Sequence, residues 1–256
     1  MTSRDPTGLL PRPLDTAFIA DTGRSLADRL TVIAFGAVQW PWLLRSLHGG
    51  SKAAKRALLA RLDLPDDALP NLGSWKADTG LLTLLTDHIL EHRPRLVVEF
   101  GTGASTLILA RALQMAGGGK LISFEQHEDF VDATREWLAD YGLEADLRAV
   151  PLGAPEDGWP GLWYDHGPLP LGIDLMVIDG PPWSIHPMTR GSAACLFNHI
   201  SPGGTVVLDD AARPGERLVA WRWRRDYPDF SFRLWKGGTK GTLIGVRRSS
   251  NAPGLL

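Results

Sequence analysis

Residues 96–106 have the sequence Leu96-Val97-Val98-Glu99-Phe100-Gly101-Thr102-Gly103-Ala104-Ser105-Thr106. The short apolar run before Gly101, with Glu99 as its polar exception, predicts a strand that is covered on both faces, as in a parallel sheet. Two glycines one residue apart allow a tight turn and a close approach to a ligand, and Ser105 or Thr106 can cap a following helix. This order of elements predicts a nucleotide cradle. The alternative is a strand-to-helix turn that binds nothing.

The composition predicts one α/β domain with an extension. The chain has 256 residues and a mass of 27.9 kDa, which is enough for one substantial core. Its formal charge of -2 gives no electrostatic reason to expect nucleic acid, so a small-molecule partner is expected. The single cysteine, Cys195, excludes an intramolecular disulfide and a cysteine-based zinc cluster.

Neither a signal peptide nor a membrane-spanning segment is evident in the sequence. The N-terminus lacks a basic segment followed by an apolar one. The longest apolar stretch, residues 31–44, is shorter than the roughly 20 residues that a spanning helix needs. Together with the lone cysteine, these features predict a cytoplasmic protein.

Three segments are predicted: an N-terminal arm and helical extension over residues 1–71, a main domain over 72–248 and a loose tail over 249–256. Prolines near the start favour a mobile arm. Two helices are predicted between residues 21 and 62, the second over 51–62. The favoured interpretation packs them on the main domain with their charges in water. Contact with an anionic membrane surface, a lid or a homo-oligomer contact stays open.

Alternating strand and helix patterns predict a Rossmann-like, doubly wound α/β fold with a mostly parallel, seven-stranded sheet. The predicted strands cover residues 96–100, 120–124, 147–150, 173–178, 205–208, 230–235 and 242–246, and the predicted helices of the main domain cover residues 80–92, 107–115, 127–141, 187–200 and 216–227. A glycine-rich turn between the last two strands predicts an antiparallel hairpin. The long, aromatic-rich loop at 151–172 is expected to line the substrate site or to form an ordered surface loop.

Glu125 follows the second predicted strand, about one strand-helix-strand unit after Glu99. It can therefore reach the turn that contains Gly101 and Gly103. A carboxylate at that position can accept hydrogen bonds from two ribose hydroxyl groups. A solvated strand end or a helix cap is the alternative.

Three further carboxylates are expected at the same rim, because the carboxyl ends of neighbouring parallel strands meet at one edge of a sheet. Asp179 follows the strand at 173–178, and Asp209 and Asp210 follow the strand at 205–208. A hard divalent cation bound by oxygens lowers the pKa of an alcohol and orients it. A turn and helix cap explains Asp209 and Asp210 equally well.

Two histidines and one tryptophan are predicted near this rim. His186 is the nearest candidate general base and His166 is the second, although either is equally consistent with a surface or capping histidine. Trp75 lies where the helical extension meets the main domain. It is expected either to cover a substrate or cofactor or to fill the core.

The pattern Glu-x-Gly-x-Gly-x-Ser-Thr at residues 99–106 resembles motif I of the class I S-adenosylmethionine-dependent methyltransferases. The resemblance implies a glycine loop that passes under the methionine and ribose parts of S-adenosylmethionine. It also implies that an acid at the end of the second strand binds the ribose. The cofactor-binding residues implied in this way are Glu99, Gly101, Thr102, Gly103, Ser105, Thr106, Glu125, Gln126 and Asp179.

The later strand ends resemble those of catechol-type, metal-dependent O-methyltransferases. In that group an Asp after strand four and an Asp followed by Asp or Asn after strand five hold Mg²⁺, which implies Asp179, Asp209 and Asp210 as metal ligands. The lysine that these enzymes place three residues after the first Asp is Pro182 in this chain. The base and the use of a metal therefore stay open.

Two motifs also resemble a bacterial group of small class I methyltransferases. They are Ile-Asp-Gly-Pro-Pro at residues 178–182 and Asp-Asp-Ala-x-Arg-x-x-Glu at residues 209–216. This resemblance covers about residues 72–248. It implies that Arg190, Arg213 and Glu216 face the substrate, where arginine suits a carboxylate or phosphate on the acceptor.

These features predict an S-adenosylmethionine-dependent methyltransferase that methylates an oxygen of a small or sugar-like molecule. The predicted catalytic residues are Asp179, His186, Asp209 and Asp210. A nucleotide-dependent oxidoreductase is one alternative, although Thr106 replaces the third glycine of the dinucleotide fingerprint. A catalytically silent, methyltransferase-like binding module is the other.

Overall fold

The computed structural model describes residues 26–249. The predictions of an N-terminal arm and a loose C-terminal tail concern residues that lie largely outside this range. The helices are α1 (Leu26–Ser46), α2 (Lys52–Arg61), α3 (Thr79–His92), α4 (Ala104–Met115), α5 (Glu128–Ala139), a 3₁₀ helix (Thr189–His199) and α6 (Pro214–Asp226). The strands are β1 (Leu96–Phe100), β2 (Lys120–Glu125), β3 (Asp146–Ala149), β4 (Leu152–Gly153), β5 (Trp163–Tyr164), β6 (Ile173–Ile178), β7 (Ile200–Leu208), β8 (Phe230–Trp235) and β9 (Thr242–Arg247).

The main sheet has seven strands in the order β3-β2-β1-β6-β7-β9-β8. The first five strands in this order are parallel to their neighbours, β9 is antiparallel to β7, and β8 is antiparallel to β9. Strands β4 and β5 form a separate antiparallel pair. The predicted doubly wound fold with a C-terminal antiparallel hairpin is confirmed.

Strand β1 lies between β2 and β6 and is covered on both faces. Val97 belongs to the core that contains residues of α3, α4 and α5, whereas Val98 and Phe100 belong to the core that contains residues of the 3₁₀ helix and α6. Successive strand residues point to opposite faces of a sheet, so one short apolar run supplies both cores. None of these three residues has exposed surface.

The helical extension contains the two helices that the sequence predicts. The Ser51 hydroxyl caps α2 by accepting a hydrogen bond from the Ala54 N–H at 3.0 Å. Helix α1 contacts α6, and α2 contacts α3. The large apolar side chains that α1 leaves exposed are Leu26, Leu30, Ile33, Val38, Trp40 and Leu44. Within residues 26–249, every helix is too short or too polar to cross a bilayer.

Helix α4 begins earlier than the sequence indicates. Its first residue is Ala104, so Ser105 and Thr106 lie in its first turn, and Thr106 helps to cap the helix from its third position. Its hydroxyl accepts a hydrogen bond at 2.8 Å from the N–H of Gly103, which is the N-cap residue.

The segment before the acidic strand end also differs from its prediction. Residues 187–200 were expected to be one helix, but a 3₁₀ helix ends at His199 and Ile200 begins β7. The two glycines expected to form a turn, Gly203 and Gly204, lie inside β7, where the pairing with β6 changes register. Tertiary pairing of Ile200 with Ile173 extends the strand through glycines that would favour a turn in isolation.

Candidate active site

Two loops meet at the carboxyl ends of β1 and β6. The Phe100 carbonyl accepts hydrogen bonds from the N–H groups of Asp179 and Gly180, at 2.9 and 2.7 Å. Gly101 has a φ of +98°, and a Cβ added to it would lie 2.8 Å from the Gly180 nitrogen. Only glycine permits both this backbone conformation and this approach, so the two loops are fixed against each other.

Gly103 has a different environment from Gly101. A Cβ added to Gly103 would meet no atom of the described residues within 4 Å. The glycine loop is thus packed on the protein at Gly101 and open at Gly103. An open backbone surface beside the first turn of α4 is a cradle that a small ligand can fill.

Glu99, in β1, stabilises the glycine loop through hydrogen bonds. Its carboxylate is completely buried and accepts hydrogen bonds from the hydroxyl groups of Thr106, at 2.6 Å, and Ser123. Thr106 in turn accepts the Gly103 N–H, so one chain of hydrogen bonds connects Glu99 to the glycine loop. Burial raises the pKa of Glu99 to about 7, although these hydroxyl groups lower it.

Glu125 reaches the glycine loop from the end of β2. Its carboxylate accepts hydrogen bonds from the backbone N–H groups of Thr102 (3.3 Å), Gln126 (2.9 Å) and His127 (3.2 Å). These bonds fix the orientation of the carboxylate. Burial raises its pKa to about 7, and the three backbone N–H groups act in the opposite direction.

The three predicted aspartates come together at the ends of β6 and β7. Asp179, Asp209 and Asp210 each offer a carboxylate oxygen, and these oxygens lie within 4.8 Å of one another. Asp209 and Asp210 are almost fully buried, whereas the Asp179 side chain is 14% exposed. Asp179 is therefore the member that solvent or an acceptor can reach. Burial raises its pKa, although Lys240 and Arg190 oppose this effect.

Arginines and a fourth acid surround this carboxylate cluster. Arg190 Nη1 lies 3.1 Å from an Asp210 oxygen and 3.9 Å from Glu216, and Arg213 Nη2 lies 2.9 Å from Asp210. Arg190, Arg213 and Glu216 are all buried. They are ion-paired with one another and with the cluster. Their predicted contact with substrate stays a prediction.

Lys240 is a member of the cluster that the sequence did not reveal. Its ammonium nitrogen lies 3.5 Å from Asp209 and 3.6 Å from Asp210, and its side chain is 1% exposed. Burial lowers the pKa of Lys240, but the acids around it have the larger effect and raise the pKa above its ordinary value. These acids are Asp210, Asp209 and Asp179. The acidic neighbours therefore favour the charged form of Lys240.

Asp78 positions the loop that carries Lys240. Its carboxylate caps α3 by accepting the Leu81 N–H at 2.7 Å, and it also accepts the Thr239 hydroxyl at 2.8 Å and the Lys240 N–H at 3.1 Å. A Cβ on Gly80 would lie 2.5 Å from the Gly238 Cα, which shows how closely α3 approaches this loop. The sequence did not identify Asp78 as part of the site either, since an Asp that precedes a helix has the pattern of an ordinary helix cap.

Tyr164, in β5, reaches the loop that follows β6. The Tyr164 hydroxyl lies so near Gly180 that a Cβ there would be 2.1 Å from it. In the described part of the chain this hydroxyl has no hydrogen-bond partner. Desolvation raises the pKa of Tyr164 well above its ordinary value, so the hydroxyl stays protonated. A buried donor at this place was not predicted, and the only sequence signal was the loop's aromatic content.

The other predicted residues have environments of different kinds. His186 is buried, and its Nδ1 accepts the Met188 N–H at 3.2 Å, whereas His166 lies beside Cys195 with 3.9 Å between Nε2 and Sγ. Trp75 is half-buried in the turn before α3. The predicted roles of His186 as a base and of Trp75 as a cover stay predictions.

The donor set fits an adenosyl cofactor better than it fits a metal ion. A ribose with its attached chain suits the groups at the ends of β1 and β2. These are the open Gly103, the buried Glu99 behind it and the oriented carboxylate of Glu125. The three aspartates could bind a cation by geometry alone. However, Lys240 already lies near Asp209 and Asp210. Arg190 lies near the third aspartate, Asp179, as well as near Asp210.

A family model described as a methyltransferase domain matches residues 98–211. The matched segment runs from β1 to the turn after β7 and includes Glu99, the glycine loop, Glu125 and the three aspartates. Lys240 lies outside it. A search of the curated proteins found no match.

Solved structures of methyltransferases share the fold. The O-methyltransferase from Bacillus cereus in complex with SAH is 18% identical, with a TM-score of 0.52, and the match covers 85% of this chain and 100% of that chain. The SAH-bound methyltransferase from Podospora anserina is 13% identical, with a TM-score of 0.55 and coverages of 95% and 100%. A putative O-methyltransferase from Klebsiella pneumoniae is 19% identical, with a TM-score of 0.54 and coverages of 83% and 97%.

Proposed function

We propose that this protein, a class I S-adenosylmethionine-dependent methyltransferase, transfers the methyl group to an oxygen atom of a small-molecule acceptor. The proposal of oxygen as the acceptor atom follows the O-methyltransferases among the structural relatives. The observation that carries the proposal is the contact of Glu125 with Thr102, because it puts an oriented carboxylate beside an open glycine loop inside the matched domain.

The donor site is proposed to consist of the glycine loop and two buried acids. Glu125 accepts the ribose hydroxyl groups, and Gly103 lets the ligand approach the backbone. Glu99 acts through Thr106, which fixes the Gly103 N–H. This division of roles explains why the strand contains an acid and why Thr106 replaces a third glycine. When bound, S-adenosylmethionine supplies a sulfonium methyl group that an oxygen can attack in line.

Asp179 is proposed as the general base that takes the proton from the acceptor hydroxyl group. It is the one described acid of the cluster with appreciable side-chain exposure, and its raised pKa suits a group that binds a proton during turnover. The other charged groups of the cluster then fix the electrostatic environment of the Asp179 carboxylate. They are Asp209, Asp210, Arg190, Arg213 and Glu216. A cytoplasmic location, consistent with the single cysteine, is part of the same proposal.

Calorimetric titration with S-adenosylmethionine, S-adenosylhomocysteine and NADH tests the donor site. Both adenosyl ligands are expected to bind and NADH is not. Glu125→Gln is expected to weaken adenosyl binding by at least about tenfold, because hydrogen bonds to a charged group contribute about 1.5–3 kcal/mol each. Glu128→Gln, which changes an exposed acid on α5, is the matched control and should bind as the wild type does.

The reaction is tested by measuring S-adenosylhomocysteine release over a panel of phenols, catechols and sugars. Asp179→Asn is expected to lower kcat on any acceptor that is methylated. Binding of NADH without adenosyl ligands would favour an oxidoreductase and contradict the proposal. Adenosyl binding without turnover on the whole panel would favour a silent binding module.

A further inference from the structure

We propose that the ammonium group of Lys240 is the resident cation of the carboxylate cluster, so that methyl transfer in this protein uses no divalent metal ion. The inference deepens the proposed function, on which it rests for the reaction. Its central observation is independent of the reaction, because it concerns which cation the carboxylates of Asp179, Asp209 and Asp210 hold.

The position of the Lys240 nitrogen is the first step. It lies 3.5 Å from Asp209 Oδ2 and 3.6 Å from Asp210 Oδ1, which are two of the three carboxylates whose oxygens come close enough to share a metal. A hard divalent cation binds carboxylate oxygens at about 2.0–2.6 Å. An ion that bridged these two aspartates would therefore lie at or beside the ammonium group, where like charges repel at low dielectric.

The backbone around Lys240 keeps the ammonium group there. The Lys240 N–H donates to Asp78, and the Lys240 carbonyl accepts the Ala212 N–H at 3.2 Å. The next carbonyl, that of Gly241, accepts the Ala211 N–H at 2.9 Å. The loop is thus bonded to α3 on one side and to the turn after β7 on the other. Moving the side chain out of the cluster would break buried hydrogen bonds or leave buried acids unpaired.

The ion pairs of the three aspartates point in the same direction. Lys240 pairs with Asp209 and Asp210, and Arg190 lies 3.6 Å from Asp179 and 3.1 Å from Asp210. Each aspartate therefore already faces a buried cation, which a divalent ion at this place would have to displace or repel.

Titration with Mn²⁺, followed by the electron paramagnetic resonance signal of the free ion, tests the inference. The wild type is expected to bind no Mn²⁺ up to about 1 mM, the weak end of protein sites for hard cations. Lys240→Met is expected to gain about one Mn²⁺ site per chain. Lys236→Met, an exposed lysine of the same hairpin loop, is the matched control and should gain none. EDTA should leave the S-adenosylhomocysteine affinity of the wild type unchanged.

A wild-type Mn²⁺ site that Asp209→Asn abolishes would overturn the inference. A folded Lys240→Met protein that binds no more Mn²⁺ than the wild type would overturn it as well. If Lys240→Met does not fold, the wild-type titration decides. The double variant Asp209→Asn/Lys240→Met, which removes a charge pair together, should then recover folding. Binding of both S-adenosylhomocysteine and Mn²⁺ by the wild type would refute this inference alone, whereas failure to bind S-adenosylhomocysteine would refute the proposed function.

Discussion

Glu125→Gln is expected to stabilise the ligand-free protein near pH 8 and not near pH 4. Burial raises the pKa of Glu125 from 4.5 to about 7. Because the folded-state pKa lies above the unfolded one, protonated Glu125 contributes stability fully below about pH 4.5, and this contribution is lost as the pH rises through about 7. Near pH 8 the wild type therefore holds a buried charge that glutamine does not have.

The size of the effect follows from the pKa shift and the local hydrogen bonds. The difference between a pKa of 4.5 and one of about 7 corresponds to about 3 kcal/mol. Glutamine keeps one acceptor oxygen but presents an NH₂ group to one of the three backbone N–H donors, at a cost of about 1 kcal/mol. The net gain near pH 8 is about 2 kcal/mol, which in a chain of this size raises the Tm by roughly 4–8 °C. Near pH 4 only the lost hydrogen bond remains.

Thermal unfolding of both proteins across this pH range provides the measurement. Glu128→Gln is the control, and it should lower the Tm slightly near pH 8, because a carboxylate in the first turn of α5 is favourable there. A Glu125→Gln protein that is less stable than the wild type near pH 8, or whose advantage is the same near pH 4, would refute the reasoning. The same variant is expected to bind adenosyl ligands less tightly, so stability and binding change in opposite directions.

Three further predictions concern the loops and the ion-paired cluster. Arg190→Met should lower the urea unfolding free energy by about 3–5 kcal/mol, because it removes the cation that pairs with Asp179 and one of the cations that pair with buried Asp210, whereas the exposed Arg217→Met should change it by less than about 0.5 kcal/mol; equal effects would contradict the assigned ion pairs. Gly101→Ala should lower the Tm more than Gly103→Ala, which should mainly weaken S-adenosylhomocysteine binding in calorimetry; the reverse order would argue against an open cradle. Thr106→Val should lower the unfolding free energy by about 2 kcal/mol, since it leaves the Gly103 N–H unpaired and removes one of the hydrogen bonds to buried Glu99, and an unchanged denaturation curve would count against that hydrogen-bond chain.

The strands could be predicted where local sequence and tertiary environment agree. The bounds of β1 and β6 were predicted to the residue, because each is a short apolar run that ends at a glycine or a charged tip. The start of β7 could not be predicted, since Gly203 and Gly204 favour a turn and only pairing with β6 keeps them in a strand. The 3₁₀ helix before it was predicted as an ordinary helix, because helix type depends on packing that the sequence pattern does not express.

The site was predictable where residues follow a strand end. Glu125, Asp179 and Asp209 were predicted to approach one edge because parallel strands bring their carboxyl ends together. Lys240 and Asp78 could not be found in this way. A lysine in a glycine-rich hairpin has the composition of an exposed turn, and an acid before a helix has the composition of a cap. Their contact depends on how the hairpin docks against β7 and α3.

The contact between Asp78 and the hairpin loop has a consequence for the order of folding. Asp78 lies ahead of the first strand, and its partners Thr239 and Lys240 follow 161 and 162 residues later. Contacts of such high sequence separation form late, because a long loop must close first. During synthesis on the ribosome, both aspartates after β7 emerge before the lysine that neutralises them. Asp210 can already pair with Arg190 and Arg213 at that stage, but Asp209 lacks its cation until the hairpin of β8 and β9 has been made. This hairpin therefore completes the fold as well as the charge balance.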